Sequence, residues 1–159
     1  MKTSAYCPWC GKELVNREVD GIDRKVCPDS TCGFVSWDNP VPVVTALVEH
    51  EGRVVLARNK TWPEKMYGLI TGFLEKDESP EEGVLREVME ELGVHGVVKG
   101  FLGLFPFPQM NQLLIAYNVE VEGELVPGEE LAELKYVPPE KLKPWDFGTG
   151  LVVKKWLAL

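Results

Sequence analysis

The chain has 159 residues, 45% apolar and 26% charged, which suits one ordinary domain, or a small module joined to one, and excludes a disordered polymer. No apolar run approaches the roughly 18 residues of a membrane helix, and Met1 to Cys7 leaves no room for a signal-peptide core, so a soluble cytoplasmic protein with no membrane partner is expected. The net charge of −8 is concentrated between Gly72 and Val94, where eight carboxylates face Lys76 and Arg86. Such a chain does not suit duplex DNA, which needs a basic face, but its carboxylates can meet phosphate through divalent cations.

In chain order, four cysteines come first. Cys7-Pro8-Trp9-Cys10 is followed after sixteen residues by Cys27-Pro28-Asp29-Ser30-Thr31-Cys32. Two close pairs at such a gap suit a tetrahedral zinc site, each pair forming one knuckle of a ribbon. Gly11 and Gly33 suit tight turns that bring backbone amides towards the sulfurs. A disulfide framework would need an oxidising compartment. A thioredoxin-like motif would need a strand–helix context, which the turn residues around Trp9 do not offer. Cys7, Cys10, Cys27 and Cys32 therefore predict structural Zn²⁺. A segment of about forty residues is too short to build a sufficient core without such a staple.

Residues 1–39 are thus expected to form a zinc ribbon and 40–159 a second domain, with Pro40 and Pro42 at the boundary. Val43 to His50 reads as a buried strand, Glu51-Gly52 as a turn and Arg53 to Arg58 as the partner strand. Tyr67 to Thr71 reads as a short strand and Glu75 to Ser79 as a polar loop. Ser79-Pro80-Glu81-Glu82 is a capping box with proline at the first helical position, and Gly93 stands at the C-terminal cap. Between them Val84, Leu85, Val88 and Leu92 make an apolar stripe. Val97 to Phe105 and Leu113 to Glu120 read as strands flanking a turn from Pro106 to Asn111. Leu134 to Val137 is a further strand, Pro139 to Leu142 a helical turn, and Gly148 to Leu157 a closing amphipathic helix. Mixed strands with few helices imply an α+β class or an α/β sandwich. Trp62, Trp145 and Trp156 read as core or boundary residues, and His50 and His95 have no nucleophile beside them.

The chemistry lies on the capped helix. Glu87, Glu90 and Glu91 stand at i, i+3 and i+4, opposite the apolar stripe. Their mutual repulsion needs positive charge. Arg86 can pair with Glu90 but cannot neutralise all three. Hard divalent cations with oxygen ligands can, and Mg²⁺ is the usual one where a substrate brings phosphates. The plainer alternative is a solubilising surface helix.

Gly72, five residues, Glu78, seven residues and then Arg86-Glu87-Val88-Met89-Glu90-Glu91-Leu92-Gly93-Val94 resembles a complete Nudix box. The flanking hairpin, strands and C-terminal helix are also similar to that family from about residue 40 to 159. The resemblance implies an α/β/α Nudix sandwich with a mixed sheet, and a hydrolase of nucleoside diphosphates linked to another moiety that uses Mg²⁺ or Mn²⁺. It further implies that Glu87 and Glu91 ligate metal, that Glu90 ligates or supports it, that a carbonyl at Thr71 or Gly72 adds a ligand, and that Arg86 orients the glutamates. Glu130-Leu131-Ala132-Glu133 is similar to the acidic loop that follows the box in many members. Glu130 would be a further ligand or the base, with Glu129 and Glu133 as rivals.

A zinc ribbon directly before such a domain resembles the bacterial NADH pyrophosphatase group. Trp37-Asp38-Asn39-Pro40 is similar to that group's exit from the ribbon, and Phe105-Pro106-Phe107-Pro108-Gln109 to half of its signature. Trp37, Phe105, Phe107, Pro108 and Gln109 are therefore the substrate-side candidates. Leu102, Gly103 and Leu104 depart from the other half, and only six residues precede Cys7 where the group has a further domain. The expected substrate is NADH, ADP-ribose or a related dinucleotide. Two other readings are a house-cleaning hydrolase of nucleoside triphosphates and a non-enzymatic nucleotide or RNA sensor. NAD-capped RNA stays open as a substrate, and a homodimer as an assembly.

Overall fold

The structure is a computed structural model that describes residues 4–159; the part of the leader expectation that concerns the first three residues lies outside them. The chain divides into two compact units, one ending at Pro40 and the other running Val41–Leu159. In the first, β1 (Val15–Val19), β2 (Ile22–Val26) and β3 (Val35–Ser36) form an antiparallel sheet in that order. The Asp20-Gly21 turn sets the register Val19 to Ile22. Its apolar interior is small: Cys7, Leu14, Val26 and Cys27 are buried, and Cys32 and Phe34 pack against the cluster of Cys7, Leu14 and Cys27.

The second unit is a mixed sheet between two helices. Its strands are β4 (Val41–His50), β5 (Arg53–Asn59), β6 (Ile70–Phe73), β7 (Gly96–Phe107), β8 (Gln112–Val121) and β9 (Leu131–Val137), with helices α1 (Pro80–Leu92) and α2 (Thr149–Trp156). The order is β7-β8-β4-β5-β9, and β4 runs parallel to β8. The apolar run of β4, interrupted only by the buried Thr45 before Glu49, follows from burial on both faces. Val44, Ala46 and Val48 join Val84, Val88 and Leu92 of α1 in one core. Leu47 faces the other way, with Val152 and Val153 of α2. This is an α/β/α sandwich.

One edge of β4 is shared. Val48 to His50 pair with β5, whereas Val43 to Ala46 pair with β6. The chain entering β6 first exchanges both backbone hydrogen bonds with Ala57 of β5 through Gly68, at 2.9 Å each, then crosses to β4. The strand expected at Tyr67 to Thr71 therefore lies at Ile70–Phe73. The sheet opens at this crossing.

Two other boundaries move for physical reasons. β7 continues through Pro106 to Phe107, and only Pro108–Met110 turn, as a 3₁₀ helix. Because β7 is an edge strand, the proline there costs no interior ladder bond. β9 begins at Leu131 rather than Leu134, since Asn59 of β5 pairs with Leu131 across a bulge at Ala132 of β9. The second helical turn is a 3₁₀ helix at Pro139–Lys141.

Candidate active site and metal centres

The capping box forms as the sequence implies. The Ser79 hydroxyl accepts from the Glu82 amide at 3.3 Å, and the Glu82 carboxylate accepts from the Ser79 amide at 2.8 Å. Gly93 ends α1 in the left-handed region, at φ 69°. The helix is fixed at both ends before its carboxylates do anything.

Arg86 is the hub of the charged face. Its Nε and Nη2 donate to the two Glu78 oxygens at 3.0 and 2.8 Å, a bidentate pair, and Nη2 also donates to the Phe73 carbonyl. Its Nη1 donates to Glu87 at 2.6 Å and, less closely, to Glu90 at 3.3 Å. The guanidinium, followed by the Glu75 amide, holds the Glu78 carboxyl down at about 2. Glu87 keeps 13% of its side-chain surface against 58% for Glu90. A merely solubilising helix would not bury Glu87. The room for it comes from Gly72, where a Cβ would fall on the Glu87 carboxylate.

A loop then docks on the end of α1. The Gly128 and Val126 amides donate to the carbonyls of Glu91 and Leu92 at 2.9 Å each, satisfying backbone groups that a helix end leaves open. A Cβ at Gly128 would meet the Glu90 carbonyl at 2.7 Å, so only glycine allows this approach. Docking brings Glu129 and Glu130 to Glu87, Glu90 and Glu91 around a cavity of about 210 Å³. Burial, then the charges of Glu87, Glu130 and Glu90, pushes the Glu91 carboxyl up to about 7. A divalent cation with oxygen ligands relieves that repulsion, so the donor set fits one. Glu133 is separated from its rivals: its carboxylate accepts from the Tyr67 hydroxyl at 2.9 Å and lies 3.5 Å from Arg58. It does not line this cavity.

A second cavity, of about 1050 Å³, opens where β4 and β5 part. Trp62, Tyr67, Tyr136, Trp145 and Phe147 line it together with Phe107. Thr71 lines it too, while the next residue, Gly72, backs Glu87. Of the substrate-side candidates in this unit, Phe107 reaches this cavity. Phe105 packs against the core on the α2 side, and Pro108 and Gln109 are exposed on the 3₁₀ turn. Trp145 and Trp156, expected as core or boundary residues, pack against the core on the α2 side, and Trp145 together with Trp62 also walls the cavity. Their segments are far apart in sequence, and no local pattern joins them. The Pro127-Gly128 turn signal was the available sign of the docking loop.

In the first unit the four cysteine sulfurs all lie within 4.8 Å of one another, a cluster unique among the described residues. Cys7 and Cys32 are 3.7 Å apart and Cys10 and Cys27 3.5 Å. Tetrahedral Zn–S bonds of about 2.3 Å place sulfurs about 3.8 Å apart, so the quartet fits zinc. Burial resists ionisation of Cys7, but the Trp9 and Cys10 amides outweigh it and hold the thiol down at about 7. Burial dominates at Cys32, which is pushed up to about 12. Lys12, two residues after Cys10, bridges to Asp29, two residues after Cys27, at 2.6 Å and so ties the two cysteine segments together. Trp37 is 48% exposed, with the Arg24 guanidinium 5.0 Å from its ring centroid.

Comparison with known proteins identifies the family. The family described as NUDIX domain matches residues 39–156, and the chain belongs to the Nudix hydrolase family. It is similar to the NAD-capped RNA hydrolase NudC of Pseudomonas aeruginosa, 30% identical over 141 residues, covering 87% of this chain and 49% of that protein. It is 36% identical over 119 residues to the mitochondrial NAD(P)H pyrophosphatase NUDT13 of Mus musculus, covering 74% of this chain and 32% of that protein. The chain thus spans half or less of these two relatives. A NUDIX hydrolase structure from Nitrosomonas europaea shares the fold with a TM-score of 0.80 at 23% identity, over 98% of this chain and 91% of that one. No described helix is long and apolar enough to cross a membrane.

Proposed function

We propose that this chain is a Mg²⁺- or Mn²⁺-dependent pyrophosphohydrolase of the cytoplasm that cleaves a nucleoside diphosphate linked to a second moiety, with NADH, ADP-ribose and related dinucleotides as substrates. The observation that carries the reading is the docking of Glu129 and Glu130 against Glu87, Glu90 and Glu91 around an open cavity. The printed names of the two relatives, an NAD-capped RNA hydrolase and an NAD(P)H pyrophosphatase, point to the same substrate chemistry.

Glu87, Glu90, Glu91 and Glu130 would hold the cation, with a carbonyl of Thr71 or Gly72. A cation held by these residues would neutralise diphosphate oxygens and lower the pKa of water. Glu130 or a box glutamate accepts the proton of the attacking water. The water oxygen bonds to one phosphorus as the bridging P–O bond breaks, giving two monophosphates. Arg86 keeps Glu87 and Glu90 in place. The cysteine quartet holds Zn²⁺ for folding alone, since four protein ligands leave no open position.

A substrate panel with Mg²⁺, resolved by product, tests the reading. AMP plus a second monophosphate is expected from NADH and from ADP-ribose. Pyrophosphate release from a nucleoside triphosphate, in preference to every ADP-linked compound, overturns it.

A further inference from the structure

We propose that Asn59 is a positioning residue for the hydrolysis: through the turn that it builds, it holds Glu130 in place against the box glutamates. This deepens the pyrophosphohydrolase reading and rests on it. Glu129 and Glu130 are the central residues of a turn closed by the Leu131 amide on the Gly128 carbonyl at 3.1 Å. One flank of that turn is tied to α1, by the Gly128 amide on the Glu91 carbonyl at 2.9 Å. With that tie alone the turn can pivot, and both carboxylates swing with it. The other flank is tied to β5. There the Lys60 amide donates to the carbonyl of Glu130 itself at 2.9 Å, one residue beyond the Asn59–Leu131 pair that ends the ladder.

Asn59 aims that amide. Its Oδ1 accepts from both the amide and the hydroxyl of Thr61, at 2.9 and 2.8 Å, and its carbonyl accepts from the Trp62 amide at 3.0 Å. Asparagine suits the place because its short side chain bonds the backbone two residues on. Lys60 sits between these anchors. The far end is fixed as well: the Trp62 ring packs on Gly68, where an added Cβ would lie 3.1 Å from it, and Gly68 is bonded to Ala57 of β5. The bulge at Ala132 serves the same end, since it turns Leu131 into the α1-side core with Glu130 beside it at the carboxylate cavity. Lys60 and Thr61 are exposed, so little of the core depends on the turn. A misplacement of about 1 Å costs a reacting group about 10²-fold. The second tie on Glu130 therefore bears on rate.

The test uses the full chain with NADH and saturating Mg²⁺. Asn59→Ala is expected to lower kcat about tenfold, with KM changed less than about twofold. Asn59→Asp keeps the acceptor and should recover most of the rate. Glu130→Gln alone should lose about 10²-fold, and Asn59→Ala added to it should lose less than about twofold more, because the tie then holds nothing that acts. Thr61→Val removes one of the two donors and should show the same signs at about threefold. Hydrogen exchange reads the tie without turnover: in Asn59→Ala the Lys60 amide should exchange about tenfold faster, while the Gly128 amide keeps its protection. A further loss of about tenfold in Glu130→Gln protein overturns the proposal, and so does an unchanged Lys60 amide. A rise in KM at unchanged kcat also overturns it, and assigns the turn to Trp62 and the large cavity. If the parent hydrolyses neither NADH nor ADP-ribose, the pyrophosphohydrolase reading fails, while the exchange result still decides whether Asn59 holds Glu130.

Discussion

The two ligand clusters solve opposite problems. The four sulfurs of the first unit converge within 4.8 Å, in a segment whose buried apolar residues are Cys7, Leu14, Val26 and Cys27. The carboxylates of the second unit surround an open cavity of about 210 Å³, on a helix that Val84, Val88 and Leu92 already fix to the sheet. The first cluster can supply stability that its unit otherwise lacks. The second draws on stability supplied elsewhere, because crowded carboxylates oppose folding until a ligand meets them.

The largest break in this comparison should come from Glu87→Gln. It removes a charge from the open cluster while keeping the shape of the side chain, so turnover is expected to fall by about 10³-fold or more with little loss of fold. Steady-state AMP release beside a thermal melt reads both. Cys7→Ser should do the reverse: zinc falls from about one per chain, residues 4–40 become open to protease, and the Mg²⁺ requirement of the remaining activity is unchanged. Metal analysis and limited proteolysis check it. Gly128→Ala should act between these, since its Cβ meets the Glu90 carbonyl and displaces the loop carrying Glu129 and Glu130. A loss of about tenfold in kcat, with zinc retained, is expected.

The smallest effect is a pH slope. Glu78 is held at about 2 by Arg86, below its unfolded value of about 4.3. Its contribution is complete above about pH 5 and is lost as pH falls towards 2. Arg86→Gln should therefore lose less stability between pH 7 and pH 3 than the parent does, as urea unfolding at the two values will read.

The closed cluster was legible whole, because its ligands come as two short pairs whose spacing carries the geometry. The open one was legible in part. Helical periodicity puts Glu87, Glu90 and Glu91 on one face, and Ser79 and Gly93 mark the ends. The partner of Arg86 was not legible from helix spacing, since Glu78 reaches it from the preceding loop and joins Glu87 and Glu90 in sharing its charge. Nor could the sequence choose among Glu129, Glu130 and Glu133. The choice narrows because β9 starts early, pairs Glu133 with Arg58 and commits its carboxylate to Tyr67. The aromatic cavity was missed because its walls come from segments that meet only when β6 crosses from β5 to β4.

The most direct measurement takes Glu91→Gln through activity and stability together. In metal-free protein, burial and three neighbouring carboxylates push Glu91 up to about 7. The folded chain thus keeps a proton that the unfolded chain loses from about pH 4.3 upwards. Stability falls as pH rises through that window, and the deficit is complete above about pH 7. Gln cannot ionise. At pH 8, with zinc retained and Mg²⁺ and Mn²⁺ removed, the variant should melt about 2–5 °C above the parent, yet turn over about 10³-fold more slowly when Mg²⁺ is restored. A variant that melts lower, or one that keeps the parent's rate, would contradict the account.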